Sequence, residues 1–105
     1  DFIYIDDVVD AMVSAATAPD IDRHVINVGS GIEHSILNVA QAVIECLEKE
    51  AHWIFSEDSD PGPNRMCADI NLAREHLDFN PRTSLEEGLR LTALQDDRFR
   101  IIESD

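Results

Sequence analysis

The residues with the most chemical promise in this chain lie around position 65. Arg65 follows a loop, Ser56 to Asn64, that holds two of the four prolines and three acids, and Asp69 stands four residues further on. A guanidinium at the end of such a loop can grip a phosphate through two parallel N–H bonds, and a nearby acid can accept from a ribose or sugar hydroxyl. Both residues also have plainer uses. Arg65 can pair with the acids around it, and Asp69 can cap a helix. Spacing alone leaves both readings open.

The other constellations offer less. Gly29-Ser30-Gly31 follows an apolar run and precedes a helical pattern, a setting in which backbone amides can approach a pyrophosphate. A full GxGxxG would need glycine at position 34, where His34 stands, and no acid ends a following strand to take a ribose hydroxyl. A tight strand-to-helix turn accounts for the glycines, and Ser30 between them is not a GxSxG nucleophile elbow. His24, His34, His52 and His76 fall in different segments with no HxxxH or HExxH pairing, so no metal site is expected. The paired acids Asp6/Asp7 and Glu86/Glu87 sit at helix starts, where the helix dipole explains them without catalysis. Cys46 and Cys67 are too few for a disulfide framework and lack CxxC spacing, which makes a reduced, cytoplasmic setting the default expectation.

Composition narrows the classes further. The 105 residues carry 22 Asp and Glu against 8 Lys and Arg, a net charge of -14. Such a surface repels polyanions, which argues against nucleic acid and against anionic membranes as partners. No run approaches the ~20 apolar residues of a membrane span, and the acidic start is unlike the basic opening of a signal peptide. With 44% hydrophobic residues the chain can still form a core. Lys49 is the only lysine, so any lysine-dependent mechanism rests on it.

The elements that must position these residues alternate in type. Phe2-Ile3-Tyr4-Ile5 reads as a strand, and Asp6-Asp7 open a helix whose apolar face is Val8, Val9, Met12, Val13 and Ala16 until Pro19 stops it. His24 to Val28 reads as a second strand. Ser35 caps a helix with Ile36, Val39, Ala40, Val43, Ile44 and Leu47 facing inward. A third apolar run, Ala51 to Phe55, leads into the loop. Asp69 opens a short helix through Ile70, Ala73 and Leu77, and Asp78 to Pro81 make a turn. Ser84-Leu85-Glu86-Glu87 is a capping box for a last helix that turns Leu85, Leu89, Thr92 and Ala93 inward. This order predicts an α/β fold, a small parallel sheet with packed helices, as one domain over residues 1–95 followed by a charged tail over 96–105.

Taken together, the segments resemble a known family. Asp1-Phe2-Ile3-Tyr4-Ile5-Asp6-Asp7-Val8-Val9-Asp10-Ala11, then Val25-Ile26-Asn27-Val28-Gly29-Ser30-Gly31 with Ser35-Ile36-Leu37, then Arg65-Met66-Cys67-Ala68-Asp69-Ile70 and Ser84-Leu85-Glu86-Glu87-Gly88-Leu89 occur in the same order in NAD-dependent sugar-nucleotide epimerases and dehydratases of the extended short-chain dehydrogenase/reductase class. The chain resembles the C-terminal, substrate-binding part of such an enzyme, up to about Thr92. The resemblance implies a nucleoside-diphosphate sugar as substrate, and NAD(P) for a full-length relative, held on an N-terminal Rossmann domain beside a Tyr-x-x-x-Lys pair. That pair is absent here, since the only tyrosine is Tyr4 and four positions on stands Val8. No catalytic residue and no cofactor are therefore assigned to this chain, which by itself is not expected to be an oxidoreductase.

Arg65 matches the arginine of the family's Arg-(Arg/Met)-x-x-Asp segment, which lines the diphosphate loop, and Asp69 matches the acid that opens the following helix. The family often has Arg-Pro-Gly-Asp ahead of this segment, whereas this chain has Asp60-Pro61-Gly62-Pro63, an acid in the arginine's place. The family also commonly carries an arginine just before its Asp-Phe-Ile-Tyr run, and Asp1 is the first residue here. Two expectations follow: a partial sugar-nucleotide enzyme that needs a Rossmann domain in cis or in trans, or a stand-alone, self-associating interaction domain without catalysis, seen as a homodimer.

Overall fold

The computed structural model describes residues 1–57 and 62–99. Within them lie four α-helices, α1 (Ile5–Thr17), α2 (Ile36–Leu47), α3 (Asn71–Leu77) and α4 (Leu85–Gln95), followed by a 3₁₀ turn at Asp97–Phe99. Each helix boundary has a local cause. Asp6 and Asp7 occupy the first turn of α1, and its last residues give way at Ala18, ahead of Pro19. Ser35 caps α2 by accepting from the Asn38 N–H at 3.1 Å, and Ser84 caps α4 by accepting from the Glu87 N–H at 3.2 Å. α3 ends where Asp78 turns left-handed at φ 51°, which lets the Phe79 N–H reach the Ala73 carbonyl at 3.2 Å.

The expected small parallel sheet is not found among the described residues. Phe2 to Tyr4, His24 to Val28 and Ala51 to Phe55, read as strands from their apolar and β-branched composition, have no regular structure, and no backbone ladder joins any two of them. An extended run becomes a strand only when a neighbour takes up its N–H and C=O groups. Ile5, assigned to the first strand by composition, is instead the first helical residue.

Helix faces also depart from expectation. In α1 the residues turned inward are Asp7 and Ala11, while Val9, Met12, Val13 and Ala16 face outward. The small side chain of Ala11 allows α3 to pack closely against α1, and the core gathers there: Ala11, Ile70, Ala73, Leu77 and Phe79, with Ile26 and Val28 against them. α2 packs on α4 but has no fully buried residue, and Ile36 at its start is exposed. In α4, Leu85, Leu89 and Ala93 are half-buried, whereas Thr92 is exposed and donates to the Gly88 carbonyl at 2.7 Å.

Two contacts tie the α1/α3 pair to the α2/α4 pair. The Asp7 carboxylate, only 3% exposed, accepts from the Arg82 and Thr83 N–H groups at 3.2 and 3.1 Å. Tyr4 lies over Gly88, where an added Cβ would stand 3.4 Å from the tyrosine side chain, and its hydroxyl donates to Gln95 Oε1 at 3.2 Å. The result is a flat, open molecule of 56 × 39 × 17 Å with a radius of gyration of 17.2 Å. A compact chain of this length would have a radius near 13 Å.

Candidate substrate cleft

Arg65 stands on the rim of an open cleft of about 660 Å³ lined by Phe2, His34, Ser35, Asn64 and Met66, with the start of α2 on one wall. The segments that form it, residues 30–34 and 62–68, have no regular structure. Their mutual placement therefore depends on side chains.

Asp1 supplies most of that placement. Its Oδ1 accepts from the Ser30 N–H and the Ser30 hydroxyl, both at 2.8 Å. Its Oδ2 accepts from the Gly31 N–H at 2.9 Å and from the Ala68 N–H at 3.1 Å. The Asp1 amino group donates to the Met66 carbonyl at 2.7 Å. One carboxylate thus joins the Gly29-Ser30-Gly31 turn to the segment after Arg65. Glycine at 29 is required by this closeness, since a Cβ there would stand 2.7 Å from the Ala68 Cβ and 2.9 Å from Asp1 Oδ2. Gly31 adopts φ 74°, a conformation that L side chains rarely take.

Across the same gap Arg65 pairs with Glu33 in a two-pronged contact, Nε to Oε1 at 2.9 Å and the terminal nitrogen to Oε2 at 2.5 Å. The hydrogen bond and charge of Arg65 hold the Glu33 carboxyl below the usual carboxylate range, and Glu33 raises Arg65 in turn. The arginine side chain is 79% exposed. It is therefore open to solvent, with one edge of its guanidinium bound to the Glu33 carboxylate. Asp69, next in the chain after the Asp1-bound Ala68, is exposed, and its Oδ1 accepts from the Asn71 N–H at 3.0 Å. No hydrogen bond joins Asp69 to Arg65, and the geometry of Asp69 is that of a helix-entry turn.

The Gly-Ser-Gly turn does not fit a dinucleotide. The Ser30 and Gly31 amides that would face a pyrophosphate already donate to Asp1. Among the described residues no group of three His, Cys, Asp or Glu side chains could hold a metal ion. Two of the histidines do meet, His24 and His76, with ring centroids 5.0 Å apart and a tilt of 37°. Both cysteines are free thiols. Asp60 and Pro61 lie outside the described residues, as do positions 100–105 of the charged tail.

Sequence reasoning missed Asp1, Glu33 and the buried role of Asp7. The signal for Asp1 was indirect. A glycine pair with no cofactor to serve still needs an acceptor for its amides, and an acid at the head of an apolar run is a candidate for it. For Glu33 there was no local signal, because 32 residues separate it from its partner.

Comparison with known proteins places the chain in a class. No family model matches it, and no solved structure matches it. It is 34% identical to the UDP-N-acetyl-alpha-D-glucosaminuronate decarboxylase of Bacillus cytotoxicus, matching 99% of this chain and 33% of that protein. It is 30% identical over 104 residues to UDP-glucuronic acid decarboxylase 1 of Arabidopsis thaliana, again 99% of this chain and 23% of that protein. An uncharacterized UDP-glucose epimerase of Bacillus subtilis is 30% identical over 89 residues, 85% of this chain and 28% of the relative. Over 85% to 99% of its own length the chain is thus similar to members of the NAD-dependent epimerase/dehydratase family. It spans between a fifth and a third of the length of the curated relatives it matches. No helix among the described residues is long and apolar enough to cross a membrane.

Proposed function

We propose that this chain is the substrate-side portion of a nucleotide-sugar epimerase or decarboxylase, corresponding to the C-terminal part of the extended short-chain dehydrogenase/reductase fold. The observation that carries this reading is the shared character of the relatives: those matched across almost the whole chain are named for UDP-sugar epimerisation and decarboxylation. Arg65, exposed at the mouth of the cleft, is the residue assigned to the diphosphate, and Asp69 shapes the entry to α3 beside it. NAD(P), which supplies hydride transfer in the complete enzyme, is assigned to a domain other than these residues, because the Gly-Ser-Gly amides are taken by Asp1. The apolar runs 2–4, 24–28 and 51–55 are assigned to the margin of a sheet whose other strands come from that domain.

Chemically, this portion binds and orients. Arg65 offers two parallel donors to a diphosphate once Glu33 is displaced, while Ser35 and the α2 start contribute backbone dipoles on the opposite wall. Calorimetry with UDP-glucose and UDP-glucuronic acid tests the reading, run on the chain alone and on the chain mixed with the cofactor-binding domain of a relative. Heat of binding is expected in the mixture, weakened at least tenfold by Arg65→Ala. No heat in either sample, or an unchanged affinity in the arginine variant, would overturn it.

One observation favours a second reading, the self-associating interaction domain. Ile5, Val9, Met12 and Val13 form an exposed apolar stripe along α1, and such stripes drive association. A homodimer that persists when the cofactor domain is added, together with silence toward every nucleotide sugar, would select it. The setting assigned to either form is the cytoplasm.

A further inference from the structure

We propose that Asp1 is the positioning residue for the anion-binding arm: its carboxylate, by gathering the amides of residues 30, 31 and 68, sets Arg65 against Glu33 and so aims the guanidinium into the cleft. This rests on the reading of Arg65 as the diphosphate ligand and goes beyond it, since Asp1 touches no substrate in that scheme.

The argument starts from what holds Arg65 in place. Residues 62–68 form neither helix nor strand, so their backbone has no ladder to fix it. The Arg65–Glu33 pair is exposed and, by itself, is too weak a contact to order two loops. Asp1 makes three backbone contacts with charged character and one to the Ser30 hydroxyl, at 2.8 to 3.1 Å. Charge-assisted bonds of this kind are about twice as strong as neutral ones. They run in two directions from one carboxylate: Oδ1 holds Ser30, while Oδ2 bridges Gly31 and Ala68. Glu33 follows the first segment by two residues and Arg65 precedes the second by three. The spacing of the ion pair is therefore inherited from the Asp1 knot. Gly29 permits the approach, with no room for a Cβ between Ala68 and Asp1.

Asparagine is nearly isosteric but replaces one acceptor oxygen by an N–H₂ donor. Placed at position 1, it points a donor at an amide donor and loses at least one side of the bridge. Asp1→Asn should therefore free the 62–68 segment without emptying the core around Ala11 and Ala73. The test follows the Glu33 side-chain carboxyl by carbon-detected NMR titration of the full 105-residue chain. In the wild type it titrates below the ordinary 4.5, because Arg65 bonds to it. In Asp1→Asn, and equally in the control Arg65→Ala, the midpoint should rise to about 4.5 while amide shifts in α1 and α3 stay in place. A purely structural Asp1 would change the melting temperature and leave the Glu33 midpoint low. That outcome, in a folded variant, overturns the proposal.

Should Asp1→Asn fail to fold, Ser30→Ala deletes one of the two Ser30 bonds to Oδ1, along with the hydroxyl's contacts to the Ile32 backbone, and should raise the midpoint part of the way. No rise in that folded variant would overturn the proposal as well. Calorimetry adds a separate arm. If the wild type with its cofactor domain binds UDP-glucose, Asp1→Asn should weaken binding about as much as Arg65→Ala, and equal affinity to the wild type counts against Asp1. If the wild type binds nothing, the diphosphate reading of Arg65 fails, and the Glu33 titration still decides whether Asp1 sets the pair.

Discussion

Asp7 shows how much one side chain carries in this molecule. Its first-turn position already suits a carboxylate through the dipole of α1, and the fold then uses the same group to satisfy the Arg82 and Thr83 amides 75 and 76 residues away. Asp7→Ala removes the side-chain acceptor and leaves two amides at a nearly closed site, so a loss of about 2–4 kcal/mol is expected. A urea midpoint within error of the wild type would refute that role. Asp96 gives a second residue-scale prediction, this time with pH. Hydrogen bonds from the Arg98 side chain and backbone lower its carboxyl from 3.8 to about 2. A depressed carboxylate contributes its stabilisation above the ordinary value and loses it as pH falls through the folded one, so the window lies between about pH 4 and pH 2. The pair is exposed and its contribution is small. Arg98→Ala removes the side-chain bonds and keeps the backbone one, so the Asp96 midpoint should rise part of the way toward 3.8 by NMR, and a midpoint that stays near 2 would show another cause.

Helix starts were legible in the residues at the scale of elements. Ser35 and Ser84 cap α2 and α4 as their positions predict, and each serine-to-alanine change should cost about 1 kcal/mol in a thermal melt. No change in either would mean that packing of α2 on α4 sets those boundaries instead. The capping box at residue 84 is only half closed. Glu87 turns along the helix to Arg90, with bonds of 2.9 and 2.6 Å, because a guanidinium three residues on is a stronger partner than the Ser84 amide. Strands were less legible. Composition marks residues 24–28 and 51–55 as extended but is silent on their neighbours, and a ladder is a property of two segments. The stacking of Trp53 on Phe55, at 6.2 Å between centroids, shows a run whose side chains have found one another in place of a second strand.

At the scale of the whole molecule, the small core and open shape belong together. The buried apolar residues cluster between α1 and α3, and α2 has none, although Ile36, Leu37 and their neighbours make it strongly apolar. A flat body of this kind leaves faces that an additional domain can cover. Met12, 67% exposed in the middle of the α1 stripe, is the probe. Met12→Glu should leave the stability of the isolated chain within about 0.5 kcal/mol, since it touches little there, while abolishing co-purification with the cofactor domain of a relative. Undiminished co-purification would place the contact elsewhere. The charge of -14 adds that any covering surface is expected to be neutral or basic.

Helix caps, the Pro19 stop, the glycine turn, the missing Tyr-x-x-x-Lys pair and the family resemblance could all be read from residues a few positions apart, because each depends on local geometry or on motif order. Arg65 stands out as a candidate in the same way, as a cation at the end of a loop. Tertiary structure alone decided which face of α1 is inside, that Asp7 caps a turn near residue 82, and that Arg65 faces Glu33 while Asp69 accepts from the Asn71 amide. It also decided that the Gly-Ser-Gly amides serve Asp1. The physical reason is common to all of these: a carboxylate or an apolar side chain has no intrinsic partner, and the partner it receives is set by which distant segment the fold brings within about 3 Å for a hydrogen bond or 4 Å for an apolar contact.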